Sequence, residues 1–142
     1  MTPYFAYGSN LWLEQMRERC PDAVKVGVGE LLGYRWIIYS RGYANIVRSP
    51  GDRVLGVVYR LSARDEESMY RSEGVAASAY AKEYHEILLQ DEMLRCLVYI
   101  DSDTLEGSPK LEYIDRINHG FRDAGLPDDY ITRYIRPYVP AK

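Results

Sequence analysis

Apolar positions open the chain in one unbroken block. Tyr4 to Tyr7 in the run YFAYGSNL are all aromatic or apolar, Gly8-Ser9-Asn10 interrupt them, and the amphipathic run LWLEQMRERC follows. The block predicts a buried strand, the three small residues a tight turn, and the run after them a helix. Next, VKVGVGELLGYRWIIYS alternates at first and then becomes aromatic and β-branched, which predicts two strands or one long strand bent at Gly33. YANIVR and RVLGVVYRL are both rich in strand formers and flank Ser49-Pro50-Gly51-Asp52, so they are expected to pair as an antiparallel hairpin.

The pattern then turns helical. In SARDEESMYRSEG, Ser62 is a candidate N-cap, acidic residues fill the first turn, and Gly74 is a stop signal. SAYAKEYHEILLQ and MLRCLVYID read as a second hairpin around Asp91-Glu92. From Ser108-Pro109 a helix is expected, with Ser as cap, Pro in the first position, and Leu111, Ile114, Ile117 and Phe121 on its apolar face. Gly125 and Pro127 end it, and Asp128 to Arg136 reads as a last helix stopped by Pro137. Strands that arrive as hairpins rather than alternating with helices predict an α+β fold, and a small mixed β-barrel flanked by helices would leave no sheet edge exposed.

Length and composition narrow the classes. Residues 1–142 suit a single domain, long enough to bury roughly two thirds of its unfolded surface. At 46% hydrophobic and 27% charged residues the chain is globular, with no long uncharged run for a membrane and no secretory leader pattern, so a cytoplasmic setting is the default. Cys20 and Cys96 stand apart without a CxxC or a His at ligand spacing, which predicts reduced thiols, no disulfide framework and no metal site. A net charge of −3 with scattered Lys and Arg gives no stripe for nucleic acid, so the expected partner is a small molecule. Whether the chain forms a homodimer is left open. The anomaly is 14 Tyr against 2 Phe. Most of these tyrosines are expected half in water on sheet faces, with a few lining a polar pocket.

Two stretches can carry chemistry, and each has a plain structural reading beside it. The Gly8-Ser9-Asn10 turn either caps the following helix or presents backbone donors to an anion or carbonyl. Glu73 is either a solvated carboxylate beside a Gly cap or a base whose pKa is raised by a helix C-terminus and by Val75-Ala76-Ala77. His85 and His119 lack ligand-spaced partners and read as structural. Ser9 lacks the GxSxG frame of a hydrolase nucleophile, and no phosphate loop of the form GxxxxGK[ST] is present.

YFAYGSNL, SPGDRVLGVVYRL, SEGV with Tyr80 after it, and GFRDAGLPDDY occur in that order between Tyr4 and Tyr134. In this combination the chain resembles the γ-glutamylcyclotransferases. The resemblance implies the same small mixed barrel and a reaction in which the substrate's α-amine attacks its own γ-carbonyl to give 5-oxoproline and a free amine or amino acid, with no cofactor. It implies that Glu73 is the acid/base, that Gly8, Ser9, Asn10 and Leu11 bind the glutamyl group with Tyr7 as a wall, and that Tyr80, Tyr113 and Tyr99 orient the substrate. The stretch GVAASA lacks a glycine often found near that tyrosine, and Asp101 to Ser108 differs in length from animal members, which leaves the departing group unassigned. The glutathione-specific branch reads YGSLxW where this chain reads YGSNLW, which points away from that branch and leaves glutathione open as a substrate. Two alternatives stand beside the general activity: removal of a γ-glutamyl protecting group from a biosynthetic intermediate, and a catalytically silent binding module.

Overall fold

A computed structural model describes residues 1–72 and 80–141. β1 (Thr2–Ala6) leads through a 3₁₀ turn (Ser9–Leu11) into α1 (Leu13–Arg19); β2 (Val24–Ile38) and β3 (Ala44–Leu61) are long, and α2 (Ala63–Ser72) follows. β4 (Ala81–Leu89) and β5 (Glu92–Ile100) precede α3 (Leu111–Ala124), and α4 (Asp128–Tyr130) runs straight into π-helical turns at Ile131–Ile135. The five strands close into a barrel in the order β1-β3-β2-β4-β5. β1 and β5 pair in parallel, with Tyr4 opposite Leu97, and every other pairing is antiparallel. Closure leaves no free edge, as the hairpin-rich pattern predicts. The interior is apolar, with Phe5, Val58, Ile87 and Leu97 fully buried.

β2 is the one long, bent strand: Gly33 sits at φ +80° where the register slips. The segment Ser49–Asp52 is not a hairpin turn, because YANIVR and RVLGVVYRL are the two halves of β3. Tyr34 faces Arg48 and Leu32 faces Arg53, so the four residues between them bulge out opposite the single Gly33. Both halves find their partner in the same long β2, and that continuous ladder overrides the local turn preference. The Asp52 carboxylate is held there by the Tyr134 hydroxyl at 2.8 Å and by Ser49 at 2.5 Å, which keep its pKa below the ordinary value, the Ser49 bond contributing most.

Helix ends differ from expectation in one place. Ser62 Oγ accepts the Asp65 N–H at 3.1 Å and caps α2 as expected. α3, however, begins at Leu111 rather than at Ser108-Pro109. The Gly107 N–H donates to Ile38 and the Lys110 N–H to Gly42, which ties that stretch to the β2–β3 turn and delays the helix. The rotation leaves Leu111 87% exposed and turns Tyr113, Ile117, Phe121 and Ala124 inward. Gly125 at φ +65° ends α3. The second hairpin turns at Gln90-Asp91, both at positive φ, one residue earlier than expected.

Candidate functional site

The 3₁₀ turn after β1 is held from three sides. α3 packs directly on it at Gly120, where a Cβ would lie 2.8 Å from the Leu11 Cβ and 3.1 Å from the Trp12 nitrogen. Asp123 Oδ2 accepts the Leu13 N–H at 2.8 Å, so the start of α1 is capped from α3 and not by Ser9 or Asn10. Their side chains turn instead to a buried polar network. Asn10 donates to the Tyr4 hydroxyl at 3.0 Å and toward the Met69 sulfur at 3.2 Å, while its oxygen accepts from Gln15 and Arg19, each at 2.9 Å. Gln15 also donates to Ser9 Oγ at 2.8 Å and accepts from Arg116 at 3.3 Å.

Above this turn is a small recess lined by Tyr4, Tyr7, Gly8, Ser9, Asn10, Ala44, Tyr80, Tyr99 and Tyr113. Seven of the nine site residues named from the sequence converge here: Tyr7, Gly8, Ser9, Asn10, Tyr80, Tyr99 and Tyr113. Leu11 does not line the cavity. Its side chain is buried in the core and its N–H closes the turn on the Gly8 carbonyl at 3.1 Å. Glu73 lies outside the described residues. Tyr4 and Ala44 are additions. Tyr4 could have been found because it precedes Tyr7 within the same quoted run; Ala44 takes part through a backbone that no side-chain pattern reveals.

The walls are fixed by hydrogen bonds and ring contacts. Tyr7 donates to the Tyr99 carbonyl at 2.5 Å, and the Tyr7 carbonyl accepts from the Trp36 indole at 2.8 Å. Tyr80 donates to the Ala44 carbonyl at 2.9 Å, and the Ala44 N–H donates to the Tyr113 hydroxyl at 3.3 Å. Tyr43 meets Tyr113 edge to face at 5.2 Å, with the Arg116 guanidinium 5.2 Å from the Tyr113 ring and Lys110 5.7 Å from the Tyr43 ring. Below, Tyr59 donates to the Asn10 carbonyl, and burial pushes its pKa up to about 12. The tyrosine excess is thus more interior than expected. Seven of the 14 are buried, and five line the cavity, where a ring supplies the wall and a hydroxyl the polarity.

Other sequence candidates lie apart from this cavity. His85 bonds Glu83 at 2.9 Å, and His119 stacks on Trp12 at 4.8 Å. Both cysteines are buried and are not joined in a disulfide. Among the described residues no three His, Cys, Asp or Glu side chains gather as metal ligands, and no helix is long and apolar enough to cross a membrane.

A model of the AIG2-like family matches residues 53–134. The chain is 32% identical to the gamma-glutamylcyclotransferase of Mus musculus, over 89% of this chain and 73% of that one. It belongs to the AIG2-like, γ-glutamylcyclotransferase family. The gamma-glutamylcyclotransferase of Homo sapiens is 30% identical over the same shares of the two chains. A solved structure named gamma-glutamyl cyclotransferase superposes with a TM-score of 0.85 at 29% identity, covering 93% of this chain and 85% of that one. The resemblance read from YFAYGSNL and its companion motifs therefore holds for the family and for its barrel.

Proposed function

We propose that the protein is a γ-glutamylcyclotransferase acting on γ-glutamyl amino acids or γ-glutamyl amines, and that the tyrosine-walled cavity over Gly8-Ser9-Asn10 is its active site. The convergence of that turn with Tyr7, Tyr80, Tyr99 and Tyr113, residues far apart in the chain, carries the reading. A small recess walled by fixed rings favours the folded form of the glutamyl chain, which brings the α-nitrogen to the γ-carbonyl carbon. Hydroxyl and backbone donors around the recess suit the substrate's carboxylate and the oxyanion that forms as the amine attacks.

The remaining task is proton transfer. In becoming a lactam N–H the α-ammonium gives up two protons. The departing nitrogen takes up both as the C–N bond breaks, and leaves as an ammonium. One carboxylate that accepts and then donates can carry each in turn, and Glu73 is the group assigned to it. Its flanks in the sequence support the assignment: Met69, in α2 before it, touches Asn10, and Tyr80 after it lines the cavity. No cofactor takes part in this chemistry.

The test is 5-oxoproline release from a panel of γ-glutamyl dipeptides, γ-glutamyl-lysine and glutathione by the parent and by Glu73→Gln. Glutamine keeps the shape but accepts no proton, so a loss of about 10²–10⁴ in rate is expected with the melting temperature retained. A parent that releases no 5-oxoproline from any of these would overturn the function. A folded variant within a few-fold of the parent would overturn the role of Glu73.

A further inference from the structure

Gln15 is a buried amide on the inner face of α1, 8% exposed, and its polar atoms are bonded to groups on the 3₁₀ turn and on α3. The orientation of that amide follows from its neighbours. Arg116 and Arg19 can only donate. Arg116 therefore meets the Gln15 oxygen, at 3.3 Å, and Arg19 meets the Asn10 oxygen, at 2.9 Å. Nothing but the NH₂ of Gln15 is left to face Ser9 Oγ and the Asn10 oxygen, at 2.8 and 2.9 Å.

That orientation has a consequence for Ser9, which lines the cavity. A hydroxyl has one proton and two acceptor positions. Because Gln15 donates to Ser9 Oγ, the hydroxyl proton is turned away from Gln15. We infer that Gln15, fixed by Arg116, is a positioning residue that makes Ser9 a hydrogen-bond donor to an oxygen of the glutamyl group. The inference rests on the reading of the cavity as a γ-glutamyl site. It assigns Ser9 a side-chain role beyond that of its backbone, and Gln15 and Arg116 act through it without touching substrate. Gln15 and Arg19, one turn apart in α1, both reach the 3₁₀ turn, Gln15 at Ser9 Oγ and at the Asn10 oxygen and Arg19 at the Asn10 oxygen.

The test measures KM, kcat and melting temperature for the parent, Ser9→Ala, Gln15→Leu, Gln15→Glu, Arg116→Met and the Ser9→Ala/Gln15→Leu double variant. Loss of one positioned donor to a charged or developing oxygen is expected to raise KM about tenfold in Ser9→Ala, with kcat within a few-fold. Gln15→Leu is expected to match it. The double variant is expected to be no worse than either single change, because both remove the same bond. Gln15→Glu keeps the size of the side chain but replaces the donor by an acceptor, which draws the Ser9 proton inward, so KM rises at least as far. Packing alone predicts no such rise. Arg116→Met alters a side chain 23% exposed and releases the amide, raising KM by a few-fold even if the buried variants do not fold. A parental KM in folded Gln15→Glu and in Arg116→Met, or a double variant showing the product of the two single effects, overturns the inference while the function stands. A parent that forms no 5-oxoproline overturns both.

Discussion

Replacing Gly8 by alanine places a methyl group inside the cavity. The new Cβ would lie 2.9 Å from the Tyr113 hydroxyl and 3.1 Å from the Ala44 Cβ, about 0.5 and about 0.3 Å inside the 3.4 Å at which ordinary contact begins. Tyr113 has little room to recede. Its ring is held edge-on by Tyr43 at 5.2 Å and covered by the Arg116 guanidinium at 5.2 Å, and its hydroxyl accepts the Ala44 N–H. Relief comes by moving that hydroxyl and breaking its bond. Overpacking of this kind costs about 1–3 kcal/mol, or several degrees of melting temperature for a chain of this length. The effect on activity is expected to be larger, since the methyl takes space from the glutamyl group and shifts a wall: a misplacement of about 1 Å costs about 10²-fold, so a shift of about half that is expected to cost about tenfold in kcat/KM. The assay is 5-oxoproline release beside calorimetric melting, with Gly33→Ala as control. Gly33 has nothing within 4 Å of its would-be Cβ but sits at φ +80°, so alanine there costs about 1–2 kcal/mol in backbone strain and leaves kcat/KM unchanged. A Gly8→Ala protein with parental kcat/KM would show that this cavity is not where the substrate sits.

Two further outcomes concern stability. The Thr2 hydroxyl, and after it Lys82, hold the Glu66 carboxyl below its ordinary value of 4.5; a depressed carboxylate stabilises the fold above the unfolded pKa, and that contribution is lost as pH falls through the folded one. Thr2→Val should therefore lower the melting temperature near neutral pH, and the gap to the parent should close as pH falls below 4.5; a gap that is constant with pH would refute this. Tyr130→Phe should cost about 1–3 kcal/mol in chemical denaturation, because the buried Tyr130 hydroxyl accepts the Leu55 N–H at 3.1 Å and its removal leaves that donor unpaired; an unchanged denaturation midpoint would contradict it.

What the linear chain determined is what short-range patterning controls. The opening strand and turn, the bend at Gly33, the Ser62 cap, the β4–β5 hairpin and the Gly125 stop are each set by a few adjacent residues, and the structure has them all. Tyr7, Ser9, Tyr80, Tyr99 and Tyr113 stand in motifs visible in the chain, and the fold brings all five to one cavity. Tertiary structure decided the rest. Ser49-Pro50-Gly51-Asp52 has the composition of a hairpin turn, yet it bulges because both flanking halves pair with the same β2. Leu111 fits a helical stripe but faces solvent, because Lys110 is bonded to Gly42 and sets where the helix starts. Leu11 belongs to the motif by position, but its side chain points into the core while Tyr4 and Ala44 meet the cavity. In each case a partner forty or more residues away, or a whole neighbouring strand, outweighs a preference worth only a fraction of a kcal/mol to about 1 kcal/mol per residue. The same holds for Gln15: the chain shows a polar residue at a helical spacing, and only the approach of α3 with Arg116 fixes which way its amide faces.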